Sequence, residues 1–289
     1  MESRLVTLDC DDWEAPGCER AWIDTVEDGK VLYFPRLSFS LSGRERALLG
    51  PGLQQAGVRN ISLDAGGRLK GVAQDPAARA DVQSLMARFA AQATQLVHAV
   101  FPRYREGLRP APTSLRPIEV AGRKQSWRAD DRRMHVDAFP SRPNRGERIL
   151  RVFSNISTRG EPRVWRVGEP FDAVASRFLP VARPYSPLQA RLLRSMRVTK
   201  SVRSEYDHLM LQLHDLMKAD QRYQAEAPQQ TVAFAPGSTW VCFSDQTVHA
   251  AMSGQHMIEQ TFHLPVASQY NREASPLAIL TRLAGRPLI

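Results

Sequence analysis

Between Arg148 and Leu264 the chain breaks repeatedly into short runs rich in β-branched and aromatic residues, which narrows its possible folds more than any other feature. Arg148–Ile156, Arg163–Val167, Thr231–Ala235, Thr239–Phe243, Val248–Met252 and Met257–Leu264 each have the length and make-up of a strand. Turn chemistry punctuates them at Pro143-Asn144, Arg159-Gly160, Pro236-Gly237 and Ser253-Gly254. A helical insertion around 170–228 interrupts the series, clearest over 201–225, where Val202, Tyr206, Leu209, Leu213 and Leu216 recur at helical intervals. Many short strands flanked by helices predict a mainly β fold, a sandwich or jelly roll backed by helices, in a single domain over 1–289.

The flanks carry weaker signals. Val31–Phe34 before Pro35 reads as a strand. Asp75-Pro76 opens a helix, with Asp as N-cap and Pro at the first helical position. Its apolar positions Val82, Leu85, Met86, Phe89, Leu96, Val97 and Val100 run on to a stop at Pro102. Residues 103–117, rich in Arg and Pro, are expected to form an irregular crossing segment, and Ser275-Pro276 caps a short C-terminal helix.

Net charge is +9 and the isoelectric point about 9.9, with Lys at only five positions. Such a balance suits an anionic partner, and Arg suits bidentate recognition of carboxylate and phosphate; Arg-rich codon usage is the competing cause. No helix-turn-helix, zinc finger or aromatic-basic RNA-binding motif is present, so nucleic acid is a poor partner. Cys10, Cys18 and Cys242 form no CxxC pair, which points to a reducing compartment. With no apolar signal core near the start and no run long enough to span a bilayer, the expectation is a cytoplasmic protein, soluble or peripheral to a membrane.

The chemistry centres on His135-Val136-Asp137. On an extended segment two residues apart face the same way, so His135 and Asp137 can reach one metal. His249, in a later strand-like run, completes two imidazoles and one carboxylate, the facial triad of non-haem Fe(II) oxygenases. The other histidines fit less well. His98 lies in an amphipathic helix, His208 and His214 are six apart and miss the i,i+4 spacing, and His256 and His263 suit supporting positions.

Two long blocks, Ser126-Trp127-Arg128-Ala129-Asp130-Asp131-Arg132-Arg133-Met134-His135-Val136-Asp137-Ala138-Phe139-Pro140-Ser141-Arg142-Pro143 and Trp240-Val241-Cys242-Phe243-Ser244-Asp245-Gln246-Thr247-Val248-His249-Ala250-Ala251, resemble the Kdo hydroxylase family. The likeness also touches Leu8-Asp9 to Pro16. It implies an Fe(II)- and 2-oxoglutarate-dependent dioxygenase with a double-stranded β-helix (jelly-roll) core. The implied iron ligands are His135, Asp137 and His249. The implied reaction uses O2 to hydroxylate lipid A-linked 3-deoxy-D-manno-oct-2-ulosonic acid (Kdo) at C3, giving D-glycero-D-talo-oct-2-ulosonic acid with succinate and carbon dioxide. Two alternatives stay open: a jelly-roll hydroxylase of another anionic substrate, and a non-catalytic cupin-like metal module.

The chain departs from the wider superfamily where a basic residue on the last strand pairs with the far carboxylate of 2-oxoglutarate. Here the positions hold Glu259, Gln260 and Thr261. The strand after the HxD motif offers Arg148 and Arg151. Alternation groups Arg151 with Phe153 and Asn155, which favours Arg151 as the anchor, with a surface arginine as the alternative. Trp165 either packs on the co-substrate or serves as plain core. The implied Kdo–lipid A substrate suggests peripheral contact with the anionic inner face of the inner membrane through Arg132, Arg133, Arg142 and Arg145. The stripe Leu277–Leu283, broken by Arg282, either packs on the barrel or touches lipid.

Overall fold

The structure, a computed structural model, describes residues 3–50, 52–73, 75–122 and 125–289. In chain order the elements are β1 (Leu5–Thr7), α1 (Arg20–Glu27), β2 (Val31–Phe34), α2 (Gly43–Leu48), β3 (Ile61–Leu63), β4 (Leu69–Lys70), α3 (Pro76–Val100) and β5 (Arg109–Arg116). They continue with β6 (Arg148–Asn155), β7 (Arg163–Gly168), α4 (Phe171–Phe178), α5 (Pro187–Ser195), α6 (Glu205–Ala219) and α7 (Gln221–Glu226). The last are β8 (Gln229–Phe234), β9 (Thr239–Phe243), β10 (His249–Ser253), β11 (Met257–Leu264) and α8 (Pro276–Ala284).

Eight strands form one sheet in the order β1-β2-β9-β6-β11-β5-β3-β4, and β10-β7-β8 form a second. From β6 onward the chain passes back and forth between the two sheets, with β7, β8 and β10 in the smaller and β6, β9 and β11 in the larger, as in a jelly roll. The period-two pattern of the strands explains the layering. Leu150 and Val152 of β6, Val241 and Phe243 of β9, and Ile258 and Phe262 of β11 join the cluster that α3 covers. Their neighbours Phe153, Trp240 and Met257 face the second sheet, where they meet Trp165 and Phe234. Register couples the layers, since Val152 stands opposite Val241 and Phe153 opposite Trp240. A slip of one residue would exchange the two faces.

Helix α3 begins as its sequence demands: Asp75 accepts a hydrogen bond from the Ala77 amide, and Pro76 takes the first helical position. Residues 103–117 differ from expectation. After a short 3₁₀ turn, β5 pairs with β11 along most of its length, while β3 reaches only Thr113–Leu115. Pro110 and Pro112 therefore sit on a stretch paired on one side only, where a strand tolerates proline.

Helices α4 to α7 lie between β7 and β8. Ser204 and Asp207 cap α6 reciprocally, and Leu209, Met210, Leu213 and Met217 pack under Met134, Val136 and Val248. Helix α8 joins this same cluster through Ile279 and Leu280, so the apolar stripe at the C-terminus is spent largely on packing.

Candidate metal centre

The segment carrying His135 and Asp137 runs beside the start of β10. His135 and His249 exchange both backbone hydrogen bonds, at 3.0 and 2.9 Å, and the Asp137 amide donates to the Ser244 carbonyl at 2.8 Å. Alternation then sorts the side chains. Met134 and Val136 are fully buried in the helical cluster, while His135 and Asp137 face the space between the sheets. Gly168 permits this closeness: a Cβ there would come within 2.6 Å of Val248 Cγ1 and 2.7 Å of Met134 Cε. Gly168→Ala is expected to overpack the wall behind both histidines and cost about 1–3 kcal/mol, read as a lower thermal midpoint. An unchanged midpoint would mean that the wall yields freely.

Each imidazole is pinned by a carbonyl. His135 Nδ1 lies 2.7 Å from Arg133 O, and His249 Nδ1 lies 2.8 Å from Thr247 O. A carbonyl only accepts, so both Nδ1 atoms carry the proton and both Nε2 lone pairs are left as ligand atoms. The rings stand 4.6 Å apart, and His249 stacks on Trp165 at 5.0 Å. His135 Nε2 is 3.7 Å from Asp137 Oδ1. One ligand atom from each of His135, Asp137 and His249 falls within 4.8 Å of the other two, as a single ion requires.

Electrostatics favours the ligating forms. Burial, with each other's and Lys218's potential charge, holds His135 well below its ordinary pKa, and burial lowers His249 as well. Burial works to raise the Asp137 carboxyl, but Arg151, His249 and His135 outweigh it and hold it below the usual carboxylate range. Asp137 Oδ2 is buried and accepts no well-aligned hydrogen bond; it sits 3.0 Å from Arg151 Nη2 as an ion pair. Two neutral imidazoles and an under-coordinated carboxylate on one side of a buried cavity fit a divalent metal of the iron type.

The cavity beside them measures about 80 Å³. Arg151 lines it, as do Phe153 and Trp165. Arg148, three residues earlier, points the other way: it is fully buried against Asp245 and Gln246. Trp165 lines the cavity while backing His249, and its indole N–H is buried without a hydrogen-bond partner.

Several lining residues escaped sequence reasoning. Arg116 pairs with Glu259 at 2.9 Å and lies 3.5 Å from Asp131, and Arg151 reaches the same Glu259 oxygen at 3.4 Å. Arg163 donates to the Gly254 carbonyl at 2.7 Å. Nothing separates Arg116 or Arg163 from the chain's many other arginines except the strand parity that points them inward. Glu259, where a basic residue was sought, bridges two arginines instead. Through Arg116, Arg151 and Glu259 the cavity adjoins an outer groove of about 440 Å³, also lined by Phe139, Pro140, Ser141, Arg142 and His263.

The remaining expectations resolve differently. His214 meets His135 edge-on at 5.5 Å but is tied to Asp215 at 2.9 Å, and His208 bonds the Arg183 carbonyl. Arg132 is engaged by Asp130, and Arg133 donates to the Lys218 carbonyl. Of the four arginines expected around the mouth, Arg142 lines the groove.

A family model described as 3-deoxy-D-manno-oct-2-ulosonic acid (Kdo) hydroxylase matches residues 10–287. Among solved structures, the chain is similar to the Kdo hydroxylase KdoO, a non-haem Fe(II) α-ketoglutarate-dependent dioxygenase, in complex with cobalt(II). Identity is 42%, covering 99% of this chain and 98% of that one, with a TM-score of 0.96. KdoO in complex with α-ketoglutarate and Fe(III) matches at 42% identity over 99% and 97% of the two chains, TM-score 0.94. No curated protein matches.

Proposed function

The chain belongs to the Kdo hydroxylase family, and we propose that it hydroxylates C3 of a Kdo residue in lipid A-linked Kdo, yielding D-glycero-D-talo-oct-2-ulosonic acid, succinate and carbon dioxide. It is an Fe(II)- and 2-oxoglutarate-dependent dioxygenase. The observation that carries the proposal is the inward-facing set His135, Asp137 and His249 in a cavity lined by arginine.

When bound, iron with 2-oxoglutarate supplies the activation of O2. The protein's own contribution is position and exclusion. His135 and His249 would hold the metal through Nε2, their Nδ1–H groups fixed by Arg133 O and Thr247 O, and Asp137 through its carboxylate. Arg151 is assigned to the far carboxylate of 2-oxoglutarate, since its guanidinium lines the cavity 3.0 Å from Asp137. Phe153, Trp165 and Met257 form an apolar wall that keeps bulk water from the reacting centre. The outer groove, with Arg142 and Arg116 along it, suits an acidic sugar.

No helix of the described residues is long and apolar enough to cross a membrane. A lipid-linked substrate calls for peripheral contact, at the cytoplasmic face of the inner membrane in this proposal.

Anaerobic titration with Fe(II) and 2-oxoglutarate is expected to produce the visible charge-transfer band of a chelated keto acid. Mass spectrometry of core sugars from cells with and without the gene is expected to show Kdo heavier by one oxygen atom only when the gene is present. A band without any oxygenated Kdo would redirect the proposal to another anionic substrate.

A further inference from the structure

Helix α5 and its flanks form a surface that the hydroxylase chemistry leaves unused. Residues 173–204 contain no Asp or Glu. Within them Arg183, Arg191, Arg194, Arg197 and Lys200 are exposed, and none forms an ion pair with a described residue. Apolar side chains stand among these charges. Leu188, Leu192 and Met196 follow i, i+4, i+8 spacing on one face of α5, with Leu188 77% and Met196 65% exposed. The opposite face anchors the helix through buried Ala190.

The end of α5 extends the patch. Arg197 takes a left-handed conformation (φ 59°), and the Val198 amide returns to the Leu193 carbonyl at 3.0 Å. This closing turn normally favours glycine. Arginine there, followed by exposed Val198, keeps both charge and apolar surface on the outside.

We propose that this segment is a docking surface for an anionic lipid bilayer. Leucine and methionine interleaved with arginine on one helix face match the apolar–cationic pattern of interfacial helices. A second copy of the chain is a poorer occupant, because a symmetric contact would set these arginines against themselves. The surface is also joined to the mouth of the site. The Lys200 amide donates to Ser141 O at 2.9 Å, and Arg203 donates to Pro140 O. Pro140, Ser141 and Arg142 line the outer groove that adjoins the metal cavity. A membrane seated on α5 therefore holds that groove beside the headgroups. The inference rests on the lipid-linked substrate reading for its purpose, and on the patch itself for its existence.

The test compares the full-length protein with two triple variants, Leu188→Ser/Leu192→Ser/Met196→Ser and Arg191→Glu/Arg194→Glu/Arg197→Glu. Flotation uses vesicles of phosphatidylcholine alone and of phosphatidylcholine with phosphatidylglycerol, at about 0.1 M and about 1 M salt. The wild type is expected to float with the anionic vesicles and to lose binding at high salt. The apolar variant should bind roughly tenfold more weakly and the charge variant roughly a hundredfold. Turnover of deacylated, water-soluble Kdo substrate should stay at the wild-type level in both variants, while turnover of vesicle-embedded substrate falls. Variants that float like the wild type, or a wild type that does not float, would overturn the proposal. A dimer in light scattering that both variants dissolve would give the patch to a second copy and overturn it too. Wild-type protein that floats as expected but oxidises neither substrate would fault the substrate reading and leave the docking surface standing.

Discussion

His135→Ala, Asp137→Ala and His249→Ala are each expected to lose iron binding and turnover together, by well over about a hundredfold, since even the groups behind metal ligands commonly cost 10–100-fold. The three ligand atoms share one space within 4.8 Å, and removing any of them leaves an incomplete face. Folding should survive, because the paired backbone bonds between His135 and His249 do not involve the side chains. Iron content after anaerobic loading and the charge-transfer band are the direct readouts. His214, the imidazole that meets His135 edge-on, is held by Asp215 and should not substitute. Near-normal iron content in His249→Ala would require a different third ligand and would undo the assignment.

Arg148→Ala and Arg151→Ala, three positions apart on β6, should fail in opposite ways. Arg148 donates to Asp245 at 2.8 Å and to Gln246 at 2.5 Å, with its guanidinium 3.9 Å over the Phe243 ring. Removing one partner of a fully buried pair leaves Asp245 uncompensated, a loss of about 3–5 kcal/mol. For a chain of this size that lowers the melting temperature by roughly 10 °C. Arg151 instead faces the metal cavity, where losing a guanidinium–carboxylate pair should raise the KM for 2-oxoglutarate by roughly tenfold or more. Its melting temperature should change far less than that of Arg148→Ala. If Arg151→Ala left that KM unchanged, the co-substrate anchor would lie elsewhere; Arg116 and Arg163 are the next cations around the cavity.

The contrast between those two arginines marks where sequence reasoning ends. Parity along β6 was legible, and it separated Arg151 from Arg148 correctly as to face. What Arg148 does on its own face was not, because Asp245 lies nearly a hundred residues away and meets it only through the pairing of β6 with β9. The same holds for Arg116. It ends a segment whose prolines read as irregular, and it becomes a wall of the site only because β11 pairs alongside and sets Glu259 next to it. Which apolar helix faces stay exposed was illegible for a related reason. A run of leucines, as in Leu277–Leu283, looks alike in sequence whether a neighbouring helix covers it or not; the fold buries Ile279 and Leu280 yet leaves Leu188, Leu192 and Met196 outside.

Local physics carries far along this chain. Alternation, helical spacing, caps such as Asp75 and Ser275, and the two-residue step from His135 to Asp137 are properties of a few consecutive residues, so the sequence alone marked the strands from Arg148 onward, the long helix and the common face of the HxD pair. Tertiary structure decided everything that depends on distance along the chain. It brought His249 to His135 through a backbone bridge, joined Arg116, Arg151 and Glu259 into one wall, and chose which apolar helix face meets solvent. These outcomes depend on which surfaces close against one another, and burial and pairing between remote segments have no local signature to read.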